Sequence, residues 1–317
     1  MPPPALPIRT LVVSAAAPIA DDVMAVELSD PAGRDLPVWT PGAHIDLRTP
    51  GGHLRQYSLC GDPGERSRWR VAVLRQPAGR GGSESIHRSL SVGDRVRTGG
   101  PRNRFALVPA TTYHFIAGGI GITPILPMIA AVAASGADWR LLYGGRRRAG
   151  MAFLPELSRY GPQVTIAPQD ETGLLDLPGF LSRPRPGAAI YCCGPEPLLA
   201  AAQREARHWP EASFHVERFQ ATATDPGEAT GFDVVLHRQG RSVRVEPGQA
   251  IIEALEAAGV TVPSSCREGI CGTCETDVLA GVPDHRDTLL SDAERAANTC
   301  MFVCVSRSLT ERLVLDL

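Results

Sequence analysis

The chain has 317 residues, 34 acidic against 32 basic side chains for a net charge of −2, and 43% hydrophobic residues. Its length suits two or three domains with ordinary cores, and the balanced charge gives no electrostatic basis for a nucleic-acid or membrane partner. No apolar run approaches the ~18 residues of a membrane span, and Met1-Pro2-Pro3-Pro4 lacks the basic-then-apolar plan of a secretory signal. Eight cysteines without a disulfide pattern fit a reducing cytoplasm.

Residues 1–108 read as β structure. Short apolar runs (Val23 to Leu28, His44 to Leu47, Trp69 to Leu74) are separated by Gly, Pro and Asp clusters, so an antiparallel β-barrel is expected. Two stretches there carry chemistry. Arg55-Gln56-Tyr57-Ser58 offers a charged donor fork for phosphate, a ring that stacks and a hydroxyl. Gly79-Arg80-Gly81-Gly82-Ser83-Glu84-Ser85 offers the N–H groups and hydroxyls of a phosphate cradle. Taken alone, a strand with an exposed Arg and a glycine loop is the stronger reading of both.

Residues 109–220 alternate strand and helix. Strands are expected at Tyr113 to Ala117, Trp139 to Tyr143, Gln163 to Ala167 and Ala188 to Cys193. Helices are expected at Thr123 to Ala134, Met151 to Arg159 and Glu196 to His208. This pattern predicts an α/β domain with a parallel sheet. It opens with Gly118-Gly119-Ile120-Gly121-Ile122-Thr123-Pro124, a glycine turn that leaves a strand and enters a helix, where a phosphate is favoured. Cys193-Gly194-Pro195 closes a later strand in the same way. One such turn is as often a packing feature; two on the carboxyl edge point to a dinucleotide.

Residues 221–230 (Ala221 to Thr230) are small and polar and read as a linker. Residues 231–317 follow as strand (Phe232 to His237), turn, strand (Ser242 to Val245), helix (Ala250 to Ala258) and a cysteine loop, an α+β β-grasp arrangement. Cys266, Cys271 and Cys274 are spaced C-x4-C-x2-C, the plant-type pattern of a [2Fe–2S] cluster. Soft thiolates suit that cluster, and Gly269 and Gly272 free the loop to turn its amides toward sulfur. Cys304, in an apolar run read as a strand, is the preferred fourth ligand, with Cys300 as rival. A zinc knuckle or redox disulfide is the competing reading of C-x2-C, and no second such pair occurs.

In this order, Arg-x-Tyr-Ser, Gly-Gly-Ser, Gly-Gly-Ile-Gly-Ile-Thr-Pro, Cys-Gly-Pro and the cysteine loop resemble the phthalate dioxygenase reductase family, which includes vanillate demethylase reductases. The resemblance spans essentially the whole chain. It implies an FMN-binding barrel, an NAD-binding domain and a ferredoxin domain in one multidomain polypeptide. By position, Arg55, Tyr57 and Ser58 hold the flavin, and Arg80, Gly81, Gly82 and Ser83 complete its phosphate site. Gly119, Gly121 and Thr123 line the nicotinamide and pyrophosphate path, with Cys193 and Gly194 beside the nicotinamide. The stretch Tyr143 to Arg146 touches the adenosine half, and Phe219 is the aromatic near the flavin. Cys266, Cys271, Cys274 and Cys304 bind the cluster. Ser58 and Cys193 are the catalytic candidates, although hydride transfer itself calls for no side-chain acid or base.

The implied activity is NADH oxidation through FMN and the cluster to a Rieske-type oxygenase or demethylase. A cytochrome P450 or other monooxygenase is the alternative acceptor. A ferredoxin-like carrier or redox sensor with degenerate upstream domains is the alternative of another class. FAD stays open beside FMN. The run Arg146-Arg147-Arg148 keeps NADPH open beside NADH, since arginines there accept a 2′-phosphate.

Overall fold

The structure, a computed structural model, describes residues 8–210, 213–220 and 230–317; of the expected linker, residues 221–229 lie outside the described residues. Contacts divide the chain into two units, one ending at Arg218 and the other beginning at Phe219.

The first unit opens with strands β1 (Arg9–Ala20), β2 (Val23–Ser29), β3 (Ala43–Arg48), β4 (Leu54–Ser58) and β5 (Arg68–Leu74), helix α1 (Gly82–Ser89) and strand β6 (Arg95–Asn103). The strands run antiparallel in the order β4-β3-β6-β1-β2-β5. A bridge between Leu59 and Val71 joins the two edges and closes the expected barrel. Its interior is apolar: Leu11, Leu28, Ile45, Leu47 and Leu59 have no exposed surface, and each contributes about 1.5–3 kcal/mol by burial.

A parallel sheet follows. Its elements are β7 (Thr112–Gly118), α2 (Ile122–Ser135), β8 (Asp138–Gly145), α3 (Leu154–Ser158), β9 (Val164–Pro168), α4 (Gln169–Thr172), α5 (Leu177–Leu181), β10 (Ala188–Cys193), α6 (Glu196–Glu205) and β11 (Phe214–Glu217). The order is β11-β10-β7-β8-β9. The chain steps outward from β7 to β9, then returns to the other side of β7 as β10, so the strand order reverses between β7 and β10. That switch point is where an open α/β sheet leaves its ligand crevice. The helix expected over Met151 to Arg159 is shorter than its pattern. Phe153 takes a left-handed φ of 63° and Pro155 stands in the first turn, so the helix starts at Leu154.

Barrel and parallel sheet share one core. Val23, Cys60, Ala72 and Phe105 pack in the same cluster as Phe115, Met128 and Phe153. Tyr191 stitches the seam: its hydroxyl accepts from the Val108 amide at 2.7 Å and donates to the Ala106 carbonyl at 3.0 Å. Arg70 of β5 makes two 2.9 Å bonds to the Glu156 carboxylate of α3.

The second unit contains β12 (Phe232–Leu236), β13 (Arg241–Val245), α7 (Ile251–Ala257), β14 (Glu275–Ala280), β15 (Pro283–Asp284), α8 (Asp292–Ala297), β16 (Cys300–Phe302), β17 (Arg307–Ser308) and β18 (Arg312–Leu315). Its main sheet has the order β13-β12-β18-β14-β16, with β12 and β18 parallel and the other pairs antiparallel. The face of α7 that carries Ile251, Ile252 and Leu255 is buried in the same core as this sheet, the β-grasp plan. The run at Cys304 is not a strand. Strand β16 ends at Phe302, whose carbonyl accepts from the amides of Val305 and Ser306 and folds residues 303–305 into a turn.

Gly42 measures how tightly the first unit closes. It has φ 92°, and a Cβ there would stand 1.9 Å from the Phe105 carbonyl oxygen. Gly42→Ala should destabilise the first unit by about 1–3 kcal/mol; an unchanged urea midpoint of the tryptophan fluorescence would contradict this packing.

Candidate functional site

Two sets of residues answer the expectations, one in each unit. In the first, Ser58 ends β4, Cys193 ends β10 and Glu217 ends β11. Cys193 and Glu217 are register partners on adjacent strands, with Sγ 3.9 Å from Oε2. The Ser58 hydroxyl hydrogen-bonds the same carboxyl group. Burial pushes Glu217 up to about 8, and burial followed by the nearby carboxylate holds the Cys193 thiol well above its usual range. Glu217 was not a sequence candidate. Its only signal is a lone acid closing the strand Phe214–Glu217 on the ligand edge of the sheet.

The glycine turns interlock at this point. A Cβ on Gly121 would meet the Cys193 carbonyl oxygen at 2.2 Å, and one on Gly194 would stand 3.0 Å from the Gly118 Cα. Gly119 has φ 54° with open space around it. Thr123 is buried, and its hydroxyl donates to the Ile120 carbonyl at 2.9 Å, so it braces the turn.

On the barrel side, Arg55 bonds the carbonyls of Leu54 at 2.8 Å and Arg80 at 3.3 Å. A Cβ on Gly82 would press within 2.8 Å of Arg55 Cγ and Nε. Gly81, with φ 78°, precedes α1, whose start has no side-chain cap. The Ser83 Oγ accepts from the Gln76 amide at 3.0 Å, which leaves its O–H to donate elsewhere. A donor fork, an uncapped helix start and a serine donor fit a flavin phosphate. Tyr57 is half-buried, and burial holds its hydroxyl well above the ordinary phenol range.

His44 is the register partner of Ser58 on β3. Burial, then Arg102, pushes it down to about 4, and its Nε2 has no partner among the described residues. Beside it, Arg102 forms bonds of 2.7 and 2.6 Å to Asp46, which also accepts from Gln56 at 2.8 Å. The three arginines after β8 are not equivalent. Arg148 is tied to Glu171 by bonds of 3.0 and 2.6 Å, while Arg146 and Arg147 are exposed. Phe219 is exposed at the first residue of the second unit.

In the second unit the sulfurs of Cys271, Cys266, Cys304 and Cys274 form a string, each in contact with the next. Among the described residues, no three His, Cys, Asp or Glu side chains converge on a point fit for a single metal ion. The loop amides point at sulfur, Glu268 N–H to Cys266 at 3.3 Å and Cys266 N–H to Cys271 at 3.5 Å. Four thiols in a string, with amide donors, fit a two-iron cluster. Cys300 lies opposite Asp277 in β16, its thiol pushed up to about 11 by burial and then by Glu275 and Asp277.

Residues 234–308 match the model of a 2Fe-2S iron-sulfur cluster binding domain. The chain is 46% identical to the phenoxybenzoate dioxygenase subunit beta of Ectopseudomonas oleovorans over 94% of each. A solved phthalate dioxygenase reductase, described as a modular structure for electron transfer from pyridine nucleotides to [2Fe-2S], is 40% identical over 98% of each chain, with a TM-score of 0.73. An intact type IV self-sufficient cytochrome P450 monooxygenase is 47% identical with a TM-score of 0.92; the match covers 98% of this chain and only 41% of that one. With the cradle, the switch-point turns and the four thiols in the same chain order, the protein belongs to the phthalate dioxygenase reductase family.

Proposed function

We propose that the chain is an NADH-dependent reductase that passes electrons through FMN and a [2Fe–2S] cluster to a Rieske-type oxygenase. The observation that carries this is the meeting of Ser58 from the barrel with Cys193 and Glu217 from the parallel sheet at the switch point. A flavin, when bound, supplies the exchange of two electrons for one. The chain's own residues bind and orient. Arg55, Arg80, Gly81, Gly82 and Ser83 would hold the phosphate, and Tyr57 and Ser58 would hold and orient the ring. Gly121 and Gly194 let the two turns pack, Gly119 leaves open space where a dinucleotide would approach the backbone, and Arg146 would meet its adenosine half. Glu217, neutral at pH 7, keeps a proton within reach of Ser58 and Cys193. Phe219 is assigned to the flavin's edge by family position.

Cys266, Cys271, Cys274 and Cys304 hold the cluster. A carrier with degenerate upstream domains leaves the intact cradle and switch-point turns unexplained. A P450 acceptor is the second reading, favoured by the 47% identity to a P450 polypeptide. The exposed Arg146 and Arg147 leave room for NADPH beside NADH. No helix among the described residues is long and apolar enough to cross a membrane. We place the protein in the cytoplasm because its eight cysteines are all free.

The purified chain, reconstituted with iron, sulfide and FMN, should show flavin and iron–sulfur absorbance that NADH bleaches; a colourless product would sink the proposal. Cys304→Ser should lose the cluster while Cys300→Ser keeps it, read from the visible spectrum, and the reverse would exchange the two assignments.

Glu217 generates a pH prediction. Its folded value of about 8 lies above the ordinary 4.5, so the folded state holds a proton that the unfolded chain releases in that window. Stability should therefore fall as pH rises from about 5 to 8, on the order of 1 kcal/mol per pH unit. Glu217→Gln should flatten the dependence of the urea midpoint on pH; an unaltered slope would place the proton elsewhere.

A further inference from the structure

The segment Pro283-Asp284-His285-Arg286-Asp287 belongs to none of the motifs read from the sequence, yet it is built into the thiol site. The side chain of Asp287 has no exposed surface. One carboxylate oxygen, Oδ2, accepts from the amides of Leu289 at 3.0 Å and Leu290 at 2.9 Å. The other, Oδ1, faces His285 Nδ1 at 3.9 Å, and neither atom has a hydrogen-bond partner among the described residues. The far ring nitrogen of His285 meets Asn298 Oδ1 at 3.3 Å. Arg295 of α8 donates to the backbone carbonyls of Asp287 and Leu290.

This turn grips the cysteine loop at Gly269. The Thr288 amide donates to the Gly269 carbonyl at 3.1 Å, and its hydroxyl lies 3.4 Å from the same oxygen. A Cβ on Gly269, where φ is 69°, would stand 3.0 Å from Asp287 Cα and 2.7 Å from Val305 Cγ2. Three strands of backbone cross there: the loop of Cys266 to Cys274, the turn that carries Cys304, and the Asp287 segment. A fully buried carboxylate is costly unless its bonds compensate. Here the two amides and Arg295 Nη2, 3.9 Å from Oδ2, compensate it, and groups behind metal ligands set ligand orientation and affinity.

We propose that Asp287 is a positioning residue of the iron–sulfur centre. Its carboxylate fixes residues 287–290, and through Thr288 and Gly269 that turn sets the course of the loop that carries three of the four thiols. The inference rests on the [2Fe–2S] reading of the second unit.

The test uses the full chain reconstituted with iron and sulfide. The readouts are the half-life of cluster absorbance under a chelator and the electron paramagnetic resonance g values of the dithionite-reduced protein. Asp287→Ala should shorten the half-life roughly 10–100-fold, the span typical of groups behind metal ligands, and shift the g values. Asp287→Asn, which still accepts from both amides, should keep the wild-type g values and most of the half-life. Wild-type behaviour of Asp287→Ala overturns the proposal, and so does equal damage in both variants. If Asp287→Ala takes up no cluster, Asp287→Asn decides, with retention upholding the role and loss rejecting it. A wild-type chain that takes up no cluster overturns the underlying reading and this inference with it, and that control tells the two failures apart.

Discussion

Backbone laid directly against backbone is the constraint on which the first unit rests. At the switch point, the turn after β7 and the end of β10 approach so closely that a methyl group on Gly121 would overlap the Cys193 carbonyl. Gly42 repeats the arrangement against Phe105. Side chains repack; a backbone carbonyl held in a packed core does not. Because both contacts are rigid, the ends of β4, β10 and β11 arrive within hydrogen-bond reach, although Ser58 and Glu217 come from different sheets. The shared core of barrel and parallel sheet then resists any sliding that would separate them.

The electrostatics of this meeting point follow from the same closeness. Glu217 stays protonated up to about pH 8, His44 stays neutral down to about 4, and the Cys193 thiol is held above its usual range. Burial is the leading cause for all three. At pH 7 the neighbourhood therefore holds three titratable groups and none of their charges. Of the full charges nearby, Arg102 is matched to Asp46. A crevice without a resident anion would not oppose negative charge developing in a cofactor bound there.

What could be read from the chain alone depended on how local the cause was. C-x4-C-x2-C is a loop constraint spelled out within nine residues, and the glycine turns announce themselves by backbone need. Strands such as Ala188–Cys193 follow from continuous apolar runs. Convergence over long separations left no such trace. Glu217 gains its meaning from Ser58, and Asp287 from Gly269, and nothing in the spacing of either pair signals the contact. The run at Cys304 misled for a related reason. Its residues suit a strand, but the Phe302 carbonyl captures two later amides and curls the chain, which puts that sulfur against Cys266 and Cys274. Met151 to Arg159 carries helical spacing, yet Phe153 and Pro155 delay the start by backbone geometry that apolar periodicity does not record.

Among the described residues, the apolar interior of the second unit draws only on those from Phe232 onward. A module that supplies its own interior is heritable cargo. Joined by a connector, such a module asks for no compensating change in the core of its neighbour. A segment of that kind can be matched with different neighbours while its own interior stays unchanged.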